Sequence, residues 1–532
     1  MRIFDNALLY NPVSETWIPS SFSVENGKIK SVGAPGSLSG HLVFDLEGAR
    51  VIPGLIDAHV HIESSLLTPA EFGRLVLPHG VTTVIADPHE IANVAGTAGI
   101  DFMLSDAKNS PADIFFMVPS CVPATPADVG GAVVSAADLA CYVGNPQVLG
   151  LGEMMNVPGV LFGDAEVSAK LALFRRVDGH APGLSGEPLC EYVSRGIASD
   201  HECTTAEEAE EKLRLGQIIF LREGDAAKNV AALTPAVTQA TASRCCFATD
   251  DRHVDSIAEE GSIDNCIRTA VSAGMPLELA LRLATLSAAE YYALSDRGLI
   301  APGRVADFCI LEEGETFSVS RVYKNGLAVQ KKGIVETAEV SFPPFVCRLP
   351  TEEEMQLPNG KLKIIETIPG EIITECRIGS AGDSGVQKIL CVDRYRGEGF
   401  GLGLINGLGI ERGALATSVS HDAHNIIATG ATDAEILQAV CAVADAGGGM
   451  AVVCNGKTTL LPLPVGGLMT FKPYEDVISE MHVLNEALAE TGADKKAFMS
   501  LSFMALTVVP HLKITPRGLF DGDAFCDVDI QG

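Results

Sequence analysis

His59 and His61 stand on either side of Val60, near the end of an apolar run that begins at Val51. Alternate residues of a strand share a face, so both imidazoles point the same way, as chelation of one ion requires. A single histidine more often packs or faces solvent, but two at strand spacing just after Asp57 suit a metal. Polar residues also stand where other apolar runs stop: Glu153 in GLGEMM, His180 in RRVDGH, His201 after IASD and Asp250 in CCFATD. Each alone reads as a loop residue or a helix N-cap. Gathered on one rim, four histidines and two carboxylates suffice for two divalent ions with one carboxylate bridging. Such a pair can share a hydroxide and lower its pKa towards neutrality. Asp87 and His89 alternate in the same way after GVTTVIA, with a turn cap as the plainer reading.

A common rim needs parallel strands. Between 51 and 299, eight strand-like runs alternate with helical stretches: VIPGLIDAHVHIE, GVTTVIADPHE, DIFFMVPSCVP, QVLGLGEMM, RRVDGHAPG, GIASDHE, QIIFLREG and CCFATDDRH. Eight is the strand number of a (β/α)8 TIM-like barrel, which carries its chemistry at the C-terminal strand ends, where these polar residues fall. Residues 1–50 and 300–340 have a different texture, with short strands and Asn-Gly turns at 26–27 and 325–326, and are expected to pair as one small β domain. After the Pro-rich SFPPFVCRLP, residues 345–532 mix strands with helical stretches such as ATDAEILQAVCAVADA. They are expected to form an additional α/β domain.

The bulk numbers narrow the partners. A chain of 532 residues carrying a formal net charge of −30 lacks the clustered Lys and Arg that nucleic-acid binding needs. No apolar run is long enough to span a bilayer, and the N-terminus has no leader-like pattern. The 14 cysteines form no CxxC pair and read as free thiols in a cytoplasmic protein.

The runs PGLIDAHVHIESS, ADPHEIANV, GLGEMMNVPGV, DGHAPGLSG, SDHE, LREGDAAKN and FATDDRH resemble the adenine deaminase family of the amidohydrolase superfamily. LIAPGRVADF, SVSHDAHNII and LPLPVGGLM extend the resemblance over nearly the whole chain. PGLIDAHVH by itself indicates only the superfamily, whereas ADPHEIANV, GLGEMM and SVSHDAHN are specific to the deaminases. The resemblance implies hydrolytic deamination of adenine to hypoxanthine and ammonia by a metal-activated hydroxide, in a homo-oligomer. It implies a binuclear centre: His59 and His61 on one ion with Asp250, His180 and His201 on the other, and Glu153 bridging. Manganese or iron(II) is favoured, with zinc also compatible with these donors. Many amidohydrolases that open cyclic amides bridge with a carboxylated lysine on the fourth strand. Here that strand ends in Glu153, and Lys170 lies well beyond it.

Within this reading Asp250 is the expected proton shuttle. Asp87 and His89 contact the purine or relay protons, and Arg222 and Glu223 line the pocket. Glu63 and Glu202 orient histidine ligands. The alternatives are a related amidohydrolase acting on another aminopurine or on a cyclic amide, and a catalytically dead scaffold, which would be expected to have lost ligands. His61-Ile62-Glu63 satisfies half of the cytidine-deaminase signature, but no PCxxC follows. GFGLGLINGLG reads as tight turns and close packing rather than a dinucleotide fingerprint. His421-Asp422-Ala423-His424-Asn425 is left open among an active-site contribution, a further ion site and a hydrogen-bonded turn.

Overall fold

A computed structural model describes residues 1–314, 316–330, 340–368 and 372–532. The central element is a curled parallel sheet of five strands: β1 (Leu55–Val60), β2 (Val81–Ala86), β3 (Asp113–Val118), β4 (Val148–Met154) and β5 (Val177–Gly179). They hydrogen-bond in the order β5-β4-β3-β2-β1. A second parallel sheet follows, with β6 (Ser199–Asp200), β7 (Ile218–Arg222) and β8 (Cys245–Ala248) in sequence order. Isolated parallel bridges join Val177 to Ile197 and Val60 to Asp250, linking each edge of one sheet to the other. β1, β2, β7 and β8 are buried at every residue, as strands covered on both faces must be.

The run that begins at Val51 divides in two. Arg50–Pro53 pairs with Phe308–Leu311 and with Arg2–Asn11 in a separate eight-stranded sheet, and only Leu55–Val60 enters the parallel sheet. Pro53 has no N–H to continue a ladder, and Gly54 instead donates its N–H to Asp307 O at 3.0 Å. The flanking sheet thus draws its strands from both ends of the parallel region; residues 315 and 331–339 of the expected 300–340 piece lie outside the described residues.

The C-terminal part differs from the alternating α/β layer expected for 345–532. It is β-rich and largely antiparallel. Among the described residues one of its sheets is built from β9 (Leu362–Thr367), β10 (Thr374–Gly379), β11 (Val386–Val392), β12 (Phe400–Asn406), β13 (Ala414–Thr417), β14 (Ile426–Gly430), β15 (Gly449–Cys454) and β16 (Lys457–Pro462), and a smaller antiparallel sheet from Leu512–Thr515, Gly518–Asp521 and Cys526–Val528. The eight strands run in the order β10-β9-β12-β11-β14-β13-β15-β16, and every neighbouring pair except β9–β12 is antiparallel. Tight connections such as Asn455-Gly456, both at positive φ, force antiparallel neighbours. One hydrophobic cluster extends from Val60 and Val84 into Ile389, Leu415 and Leu463, so the C-terminal sheet packs on the parallel region through shared core. Among the described residues, no helix is long and apolar enough to cross a membrane.

Candidate metal centre

Every polar residue expected on the rim lies at or just past the C-terminal end of a parallel strand, and all are buried. His59 lies in β1 and His61 just beyond it; Glu153 lies near the end of β4; His180, His201 and Asp250 follow β5, β6 and β8. The structure brings all six together. Glu153 is at the centre. Its Oε1 lies 3.0 Å from His61 Nε2 and 3.8 Å from His59 Nε2, while its Oε2 lies 2.8 Å from His180 Nδ1 and 3.2 Å from His201 Nε2. Asp250 Oδ1 approaches His59 Nε2 at 3.4 Å and His61 Nε2 at 3.3 Å.

The surrounding groups hold these side chains in place. Asp87 accepts the backbone N–H of Glu153 through Oδ2 at 2.9 Å. The close approach depends on Gly152, where an added Cβ would sit 2.0 Å from that same oxygen. His61 Nδ1 lies 3.0 Å from the Asp87 carbonyl, which directs Nε2 towards Glu153 and Asp250. Arg222, the last residue of β7, spans two carboxylates: it pairs with Glu202 through both terminal nitrogens and with Asp250 Oδ2 at 2.8 Å. Glu202 in turn lies 3.5 Å from His180 Nδ1 and 3.3 Å from His201 Nε2. Glu63 accepts the backbone N–H of Ile91 rather than touching a rim histidine, and burial, with Glu90 nearby, raises its carboxyl to about 7.

Electrostatics separate the carboxylates from the histidines. Burial pushes the Glu153 carboxyl up, but His201 and the hydrogen bonds from His180, His201 and His61 prevail and hold it well below the usual range. Burial acts likewise on Asp250, and Arg222 with the neighbouring histidines overrides it. Burial, together with His201 and His61, lowers His59 to about 4, which leaves its imidazole neutral. In His61 and His201 burial is outweighed by carboxylates, Asp251 and Glu153 foremost, and both are raised. Metal ligation needs these nitrogens deprotonated, so affinity falls as the solution is acidified.

The donor set fits metal binding. His59, His61 and Asp250 offer ligand atoms within 4.8 Å of one another, and so do His59, Glu153 and His201, and His180, His201 and Glu202. His59 Nε2, His180 Nε2 and His201 Nδ1 are buried without a hydrogen-bond partner, which is costly unless another ligand completes them. Imidazole plus carboxylate suits zinc, manganese and iron(II) alike.

A small cavity opens on this cluster. His89 and Arg222 line it, whereas Asp87 and Glu223 are not among its lining residues. Asp87 is fully buried behind Glu153, and Glu223 follows β7 with its backbone N–H on Ala248 O. Three lining groups escaped sequence reasoning: Glu90, Asp251 and the apolar wall of Met155, Ile372, Phe503 and Leu506. Glu90 was legible only as the neighbour of His89, and Asp251 only as the second half of a doubled aspartate. The HDAHN segment, between β13 and β14, reaches the same cavity through His421 and Asp422.

The chain matches the amidohydrolase family over residues 50–329 and the adenine deaminase C-terminal domain over residues 370–526. It is 51% identical to an adenine deaminase of Methanoculleus marisnigri over 517 residues, covering 96% of this chain and 99% of that one. Against an adenine deaminase of Methanoregula boonei the identity is 50% over 536 residues, covering 99% and 96%. A third, from Desulfatibacillum aliphaticivorans, is 42% identical over 556 residues, covering 99% and 96%.

Proposed function

This chain belongs to the adenine deaminase family of amidohydrolases, and from that membership we propose that it hydrolyses adenine to hypoxanthine and ammonia at the Glu153 centre. We take the two parallel sheets as one (β/α)8 barrel, because bridges at Val177–Ile197 and Val60–Asp250 link them at both edges. The observation that carries the reading is the division of the Glu153 carboxylate, with Oε1 towards His59 and His61 and Oε2 towards His180 and His201.

Two divalent ions, manganese or iron(II) by preference and zinc as the alternative, would be held by those five residues with Asp250. Bound there, they supply the positive charge that makes a water acidic enough to serve as nucleophile near neutral pH. The remaining work belongs to the chain. Asp250 is ionised and aimed by Arg222, so it can take the proton that the water gives up and pass it on to the departing nitrogen. His89 extends from the start of a short helix, α1 (His89–Ala95), and its Nδ1 lies 3.2 Å from Glu153 Oε1, on the cavity wall where a purine would sit. Arg222 contributes to the same wall, while Asp87 acts through Glu153 rather than on the base. Met155, Ile372, Phe503 and Leu506 give the flat base an apolar surface.

The test is ammonia release by metal-loaded protein from adenine, adenosine and cytosine. Adenine alone should release it at a substantial rate; release from adenosine or cytosine but not adenine would overturn the substrate.

A further inference from the structure

The C-terminal sheet contributes one imidazole to the cavity, and the hydrogen bonds behind it determine which of its nitrogens is free. Ser420 donates its backbone N–H to His424 Nδ1 at 3.1 Å. That nitrogen therefore carries a lone pair, and in the neutral ring the proton resides on Nε2. His424 Nε2 meets Glu90 Oε2, so the histidine is the donor and the carboxylate the acceptor. The other oxygen, Glu90 Oε1, lies 2.6 Å from His421 Nδ1, which must then also donate. The Phe503 ring stacks on His421 at 4.5 Å and 9°, and the His421 backbone N–H is held by Ser502 O at 2.9 Å. Burial is outweighed by Glu90 and Asp251, which raise this imidazole to about 9, so Nε2 carries an N–H as well. With the ring fixed on one edge and one face, that Nε2 is buried without a partner, and the side chain lines the cavity.

Glu90, His421 and His424 also qualify by distance as a cation triad, with ligand atoms within 4.8 Å. The Ser420 contact argues against it. An ion on His424 Nε2 would require a proton on Nδ1, where the backbone N–H already points.

We propose that His421 is a purine-binding residue, its Nε2–H donating to a ring nitrogen of the substrate from the C-terminal wall of the cavity. The assignment rests on the adenine reading above. A buried imidazole nitrogen without a partner is costly in the free protein, and a base nitrogen placed opposite it removes that cost on binding. Phe503 stacks on His421, and Asp422, Asp251 and His89 line the same cavity.

The test compares adenine with 1-deaza-, 3-deaza- and 7-deazaadenine as ligands of the metal-loaded full chain, in the wild type, His421→Asn and His421→Gln. Asparagine can keep the hydrogen bond to Glu90 but has no atom at Nε2, whereas glutamine reaches that position. In the wild type, one deaza analogue should bind about 10-fold or more weakly than adenine. In His421→Asn that difference should collapse and the KM for adenine should rise by about 10-fold or more, with bound metal and melting temperature retained. His421→Gln should recover part of the discrimination. Equal binding of all three analogues by the wild type, or wild-type discrimination and KM in His421→Asn, would overturn the proposal. Should His421→Asn fail to fold, the wild-type and His421→Gln comparisons decide in the same sense. A wild-type holoenzyme that neither binds nor deaminates adenine would instead remove the deaminase reading, and this proposal with it.

Discussion

Asp87 Oδ2 accepts the backbone N–H of Glu153 at 2.9 Å, so the end of β2 fixes the residue at the centre of the metal cluster. Replacing Asp87 by alanine leaves that N–H unpaired and loosens the Glu153 carboxylate. We expect kcat to fall by about 10–100-fold, the range typical of groups that orient metal ligands. The KM for adenine should change little, because Asp87 is behind the cavity wall. Steady-state kinetics check this, and a raised KM with unchanged kcat would show that Asp87 touches the base.

Arg222 joins Glu202, which faces His180 and His201, to Asp250, which faces His59 and His61. A lysine at 222 keeps the charge but cannot hold two carboxylates in a planar fork. Arg222→Lys should lower kcat by about 10–100-fold while the protein still folds and binds metal. Metal analysis of the same preparation separates this from loss of an ion, and full activity would show that the fork is dispensable.

Lys513 is fully buried, and burial lowers its ammonium from 10.5 to about 7. Its Nζ donates to Ile372 O at 2.8 Å and Phe503 O at 3.4 Å, behind two residues of the cavity wall. Because the folded pKa is the lower one, the unfolded chain binds the extra proton between about pH 7 and 10.5, and stability rises with pH across that window. Lys513→Met removes this slope. The melting temperature of the variant minus that of the wild type should be most favourable near pH 6.5 and decline steadily towards pH 10. Parallel curves across that range would contradict the buried ammonium.

The rim was legible because its logic is local. His59 and His61 alternate on one strand, and Glu153, His180, His201 and Asp250 each close an apolar run, so periodicity alone put six groups at strand ends. What it could not give was depth. Asp87 and His89 alternate identically in sequence, yet one is buried behind Glu153 and the other lines the cavity, since the strand ends at Ala86 and α1 begins at His89. Nor could it give contacts across 331 residues, and the pairing of Glu90 with His421 depends on how the C-terminal sheet packs on the parallel sheets. The C-terminal topology was misjudged for a related reason. Helical stretches such as Asp433–Asp445 suggested βα alternation, but short turns such as Asn455-Gly456 make most of the strands antiparallel.

The central claim is that Glu153 bridges two ions, and a metal titration tests it most directly. Metal-free protein would be loaded with increasing Mn(II), with bound metal and ammonia release from adenine measured on the same samples, for the wild type and Glu153→Gln. Wild-type activity should rise to a plateau at two ions per chain, while Glu153→Gln should bind fewer and lose about 100-fold or more in rate, beyond the loss typical of an orienting group. A wild-type plateau at one ion per chain, or a Glu153→Gln variant that binds two and works normally, would contradict it.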